Sequence, residues 1–134
     1  IPLYIIGKGN VNLIKKDGIK YLGFVSEEEK HRYLKSAAAL IHPSLNESLG
    51  IVLIESFANF SPAVVNKNSN VLFSHIRNSK AGEAFETYEE FENALLKILK
   101  NRKDYSQNAY RYYKDFYSSD AFEKRIKKHI IQTP

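Results

Sequence analysis

The stretch that most constrains this chain runs from Pro43 to Ala58. A short apolar run, Ala37 to Ile41, stops at His42-Pro43-Ser44. Such a run, closed by proline and small polar residues, reads as a buried strand whose carboxyl end opens into a loop. From Gly50 the pattern becomes an apolar helix, Ile51 to Ala58, with one acid, Glu55, inside it. A buried carboxylate is costly unless it is paired or hydrogen-bonded, so Glu55 needs a reason. Its counterpart Glu47 lies on the loop before the helix. Strand, loop, helix N-terminus and two carboxylates make a candidate ligand site.

The first turn of a helix leaves backbone N–H groups unpaired and gathers partial positive charge. A phosphate fits such an end if the backbone can be approached closely, and Gly50, with no side chain, is expected to allow that approach. Glu47 is placed to reach hydroxyls beside the phosphate. Glu55, opening the second turn, is an acceptor for paired sugar or ribose hydroxyls. Phosphate at the amides and hydroxyls at the carboxylates describe a nucleotide sugar. The residues by themselves also admit a plainer reading. Glu55 can sit at the edge of an amphipathic helix and face water, with Glu47 merely complementing the helix dipole.

Glu47 to Glu55 spells E-x7-E, and the surrounding residues resemble the C-terminal, donor-binding half of family 4 (group 1) glycosyltransferases. That family has the glycosyltransferase-B fold, two Rossmann-like domains with the active site between them. Its donor pattern runs approximately P-S-x-x-E-G-F-G-L-x-x-L-E-A-x-A-x-G-x-P-V. This chain has Pro43-Ser44-Leu45-Asn46-Glu47-Ser48-Leu49-Gly50-Ile51, then Ile54-Glu55-Ser56-Phe57-Ala58, then Pro62-Ala63-Val64. Two glutamates at this spacing are a weak signal; with the Pro-Ser, Gly50 and the Pro-Ala-Val they become specific.

The resemblance implies a hexosyltransferase-type enzyme of polysaccharide biosynthesis. It would move a sugar from a UDP- or GDP-sugar to a glycan or lipid-linked acceptor, with retention and with neither cofactor nor metal. Glu47 is then the catalytic residue, near the transferred sugar. The backbone at Ser48, Leu49, Gly50 and Ile51 meets the diphosphate, Glu55 holds the ribose hydroxyls, and the turn Gly7-Lys8 after the first strand joins the donor site. The chain departs from the pattern at Asn59-Phe60-Ser61 and Lys67-Asn68-Ser69-Asn70, where the family carries glycines. No stretch matches the Arg-bearing strand and Lys-Gly turn that open the family's donor domain. Either the strands at 2–6 and 38–42 pair directly, another chain supplies the missing strand, or the protein continues upstream of Ile1; the third is expected, together with an N-terminal acceptor domain, and the absence of methionine supports it. The 134 residues alone are expected to be inactive and to hold nucleotide weakly.

Composition narrows the alternatives. A chain of 134 residues, 43% hydrophobic and 26% charged, is an ordinary globular composition and reads as a single domain, 1–134. It has no apolar run near membrane-spanning length and no secretory pattern, so a cytoplasmic location is expected. With no cysteine, disulfide and thiolate chemistry are excluded. The histidines at 31, 42, 75 and 129 lack metal-site spacing, so no protein-held metal is expected. Heavy use of Lys, Asn, Ile and Tyr hints at an AT-rich bacterial genome.

Strands are expected at 2–6, 20–25, 38–42, 62–66 and 84–86. Helices are expected at 11–17, from Ser26 to about Ser36, at 50–59, 71–78, from Thr87 to about Lys100, and near 103–116 and 119–131. Ser26 with Glu29, and Thr87 with Glu90, have capping-box spacing. Alternation of strand and helix predicts an α/β, Rossmann-like three-layer sandwich with a mostly parallel sheet, followed by C-terminal helices.

From residue 97 onward there are ten Lys/Arg and four acids, a net +6 against +5 for the whole chain, with Tyr105, Tyr110, Tyr112, Tyr113, Phe116 and Tyr117 interleaved. Three readings are open: aromatics packed on the domain beneath a solvated basic face, contact with an anionic membrane surface on the inner leaflet, or nucleic-acid binding. Packing is favoured and nucleic acid least so. A non-catalytic module docking through these helices is the rival to an enzyme.

Overall fold

The computed structural model describes residues 1–9 and 16–130. They fall into two compact units, the first ending at Tyr33 and the second beginning at Leu34. In the first, β1 (Leu3–Ile6) and β2 (Ile19–Gly23) pair in parallel, Leu3 opposite Ile19 and Ile5 opposite Tyr21, with a bulge before Ile6. The Tyr21 hydroxyl donates to the Gly7 carbonyl at 2.5 Å, pinning the turn that follows β1. Most of the helix expected at 11–17 lies outside the described residues. Helix α1 (Glu27–Ser36) starts with the expected capping box: the Glu29 amide donates to Ser26 Oγ at 3.1 Å, and the Ser26 amide donates back to Glu29 Oε2 at 3.2 Å.

The second unit runs β3 (Leu40–His42), α2 (Ile51–Ala58), β4 (Ala63–Asn66), α3 (Asn70–Ser79), β5 (Gly82–Phe85), α4 (Tyr88–Lys100), α5 (Arg102–Phe116) and α6 (Ser119–Ile130). Its strands lie side by side in chain order, all parallel, with Leu40 opposite Ala63 and Ala63 opposite Gly82. Central β4 is fully buried at Ala63, Val64 and Val65, as a strand covered on both faces must be, and only Asn66 at its carboxyl end is partly exposed. Ala63 and Val65 join Leu53 and Phe57 of α2, Leu72 and Ile76 of α3, and Ala109 and Tyr112 of α5. Val64, pointing the other way, joins Ala94 and Ile98 of α4. Two-residue periodicity in one strand thus generates the three layers.

β5 begins at Gly82, two residues before the expected start. A Cβ at Gly82 would overlap the Ala63 carbonyl oxygen, so the bare backbone is what lets β5 approach β4. The turn after α2 is the other special point. Phe60 adopts φ 59, a left-handed conformation that favours glycine, and its ring stacks on Tyr110 of α5 at 4.0 Å and 11°. Arg102, at the head of α5, donates to the carbonyls of Ala37 and Ala38 at 2.7 and 3.3 Å, clasping the segment that enters β3.

Candidate functional site

Because all three strands of the second unit are parallel, their carboxyl ends open on one edge, at His42, Asn66 and Phe85. In open α/β sheets this edge is where ligands bind. The loop from Pro43 to Gly50 begins there, tied to β4 by Asn66 Nδ2, which donates to the Pro43 carbonyl at 3.3 Å. Glu47 is half-buried on that loop. Its Oε1 stands 3.3 Å from Nε2 of His42, the last residue of β3. Ser48 and Leu49 are exposed.

Helix α2 starts differently from its neighbours. Ser69 caps α3 by accepting from the Leu72 amide, and Thr87 caps α4 by accepting from the Glu90 amide. At α2 the capping position is Gly50, which has no side chain, and the first turn contains no acid. The first intrahelical bond runs from the Ile54 amide to the Gly50 carbonyl at 3.1 Å, so the amides of Ile51, Val52 and Leu53 precede the ladder. Ile51 and Val52 are exposed. An anion placed here would meet first-turn amides with no side-chain cap in the way.

Gly50 is constrained by its own fold as well. It has φ 74 and is buried, and a Cβ added to it would meet Leu72 Cδ2 at 3.0 Å and His75 Cδ2 at 3.7 Å. The space that glycine leaves is filled by protein. Its residue type is fixed by the left-handed turn and by close packing.

Glu55 lies on the second turn of α2, half-buried, with Oε2 fully enclosed. At a 1.5 Å rise it sits about 7.5 Å along the axis from Gly50. Glu47, Ser48, Leu49, Gly50, Ile51 and Glu55 therefore share one continuous loop and helix. Gly7 and Lys8 belong to the 1–33 unit; Gly7 has φ 131 and Lys8 is exposed. Lys67, at the exit of β4, is exposed, and its charge favours the Glu90 carboxylate.

Sequence reading missed two histidines. His42 faces Glu47, and its signal was its position as the last residue of the strand. His75 lies on the buried face of α3 with Leu72, Ile76 and Ser79. Nε2 is 2.9 Å from the Leu49 carbonyl and Nδ1 is 3.0 Å from the Tyr112 hydroxyl. A histidine at core spacing on an amphipathic helix was the available cue.

Among the described residues no three potential metal ligands come together. No helix among them is long and apolar enough to cross a membrane. Of the tail aromatics, Tyr112 is buried, Tyr113 and Tyr117 lie against the core, the Tyr105 hydroxyl donates to Glu83, and Phe116 is exposed. Burial first, and that carboxylate second, push the Tyr105 hydroxyl far up.

Parallel strands in chain order, helices on both faces and an uncapped helix start at the carboxyl edge define a Rossmann-like α/β unit. The profile of the family described as "Glycosyl transferases group 1" matches residues 3–129, and the chain belongs to that family. Among solved structures, the crystal structure of TarM superposes with a TM-score of 0.71 at 18% identity, over 95% of this chain and 28% of TarM. That likeness is one of fold, and the chain spans a little over a quarter of TarM. No curated protein matches the chain.

Proposed function

We propose that this chain supplies the donor-binding half of a retaining glycosyltransferase that uses a nucleotide sugar, UDP- or GDP-linked. One observation supports the proposal: the first turn of α2, uncapped and exposed at Ile51 and Val52, falls in the chain between the two carboxylates of the E-x7-E motif, at the carboxyl edge of the sheet. The amides of the Gly50 turn and first helical turn receive the diphosphate, whose charge rises as the sugar–phosphate bond breaks. Fixed N–H dipoles stabilise that charge without reorganising. Glu55 accepts the ribose hydroxyls. Glu47, oriented by His42, lies beside the sugar being transferred.

Acceptor choice, glycan or lipid-linked, belongs to the whole protein. Calorimetric titration with UDP, GDP, ADP and CMP tests the reading. Saturable binding of UDP or GDP that competes with the matching nucleotide sugar is expected. Failure of all four to bind would remove the donor site.

A further inference from the structure

We propose that His75 is a positioning residue for the donor loop, holding the Leu49 carbonyl inward so that the Gly50 amide turns toward the donor diphosphate. The inference rests on the donor-site reading above. The Leu49 carbonyl can only accept, so Nε2 of His75 carries the proton and donates to it across 2.9 Å. In the neutral ring Nδ1 then accepts from Tyr112 across 3.0 Å. The Tyr112 hydroxyl keeps its proton at every ordinary pH, because burial, reinforced by Tyr117, pushes its pKa up to about 12. Both ring nitrogens are thus committed, and the tautomer is set.

The consequence follows from peptide geometry. A trans peptide is planar, with its carbonyl and N–H pointing in opposite directions, and the described residues contain no cis bond. Drawing the Leu49 carbonyl in toward α3 therefore aims the Gly50 N–H away from α3, on a turn whose next residues, Ile51 and Val52, are exposed. The His75 ring also lies against Gly50, so carbonyl tether and left-handed turn are fixed by one side chain. Leucine in its place would fill the volume and lose the tether. Glutamine carries an amide N–H close to the Nε2 position and would restore it.

Three measurements on the whole chain decide the matter. Long-range proton–nitrogen spectra should show His75 as the Nε2–H tautomer; the Nδ1–H tautomer overturns the assignment. UDP and GDP should bind His75→Leu roughly five- to tenfold more weakly than the parent, the loss expected for one hydrogen bond. His75→Gln should recover most of that loss, with both variants melting near the parent. Equal affinity in His75→Leu, or no recovery in His75→Gln, overturns it. If the parent binds neither nucleotide, the donor-site reading falls separately. Amide exchange at Gly50 and Ile51 then decides: it should accelerate in His75→Leu and recover in His75→Gln, and no change sinks the positioning role. Should His75→Leu fail to fold, Tyr112→Phe, which removes only the Nδ1 partner, should keep the Nε2–H tautomer because the Leu49 carbonyl still requires a donor; a switch to Nδ1–H overturns the tether.

Discussion

Single residues in this chain carry more than one duty, and substitutions separate them. Glu55 encloses one carboxylate oxygen inside the fold, yet is proposed to spend its acceptor capacity on ribose. Glu55→Ala should weaken UDP or GDP binding by about 1.5–3 kcal/mol while changing the melting temperature little. Calorimetry showing equal affinity in mutant and parent would take Glu55 out of the ribose site. Gly50→Val is expected to act on folding first, because its branched side chain meets both a left-handed backbone and Leu72. A loss of about 2 kcal/mol or more in denaturant unfolding is expected, and a fully stable Gly50→Val would contradict the packing described. Phe60 holds a position where the family carries glycine, at a conformational cost of roughly 1–2 kcal/mol. Stacking on Tyr110 returns about 0.5–1.5 kcal/mol. A double-mutant cycle of Phe60→Gly with Tyr110→Ala should show coupling of that size; additive changes would mean the stack contributes nothing.

At the scale of elements, the capping boxes were the most legible signals. Ser26 with Glu29 and Thr87 with Glu90 each satisfy orphan amides locally, so spacing in the chain suffices to place those helix starts. The Glu90 carboxyl is held below its ordinary 4.5, first by the Glu86 amide and then by the Thr87 amide. A depressed folded-state value means this stabilisation is complete above 4.5 and fades as pH falls through the folded-state value. The melting-temperature gap between the parent and Glu90→Gln should therefore be present at neutral pH and close on acidification; a gap constant down to pH about 2 would refute the cap's role. Less legible were features made by distant partners. The start of β5 depends on Gly82 meeting Ala63, and nothing local announces it. The glycine at 50 was visible, but the neighbours filling its empty side were not. Glu47 and Glu55 were found through motif resemblance, whereas the His42 and His75 contacts needed the sheet and α3 in place.

The whole molecule separates concavity from chemistry. An open depression bordered by Arg77, Lys80, Glu83, Lys97, Tyr105 and Asn108 lies among α3, α4 and α5 and not at the E-x7-E loop. Glu83 there is already engaged, paired with Lys97 at 2.9 Å and accepting from the Tyr105 hydroxyl. Nucleotide added to the labelled protein should therefore perturb amides from His42 to Glu55 and leave Lys80, Lys97 and Asn108 still. Shifts centred on the second group would relocate the ligand. A last consequence concerns the order in which the chain is made. Leu40 finds Ala63, and Ala63 finds Gly82, over loops of 23 and 19 residues (63 − 40 and 82 − 63). Such loops can close while synthesis proceeds, at modest entropic cost. The Arg102 clasp on Ala37 and Ala38 spans 65 and 64 residues. On the ribosome it cannot form until the sheet and three of the second unit's five helices (α2, α3 and α4) have emerged, so this guanidinium acts as the seal on a nascent chain: until residue 102 leaves the exit tunnel, the carbonyls leading into β3 wait on water.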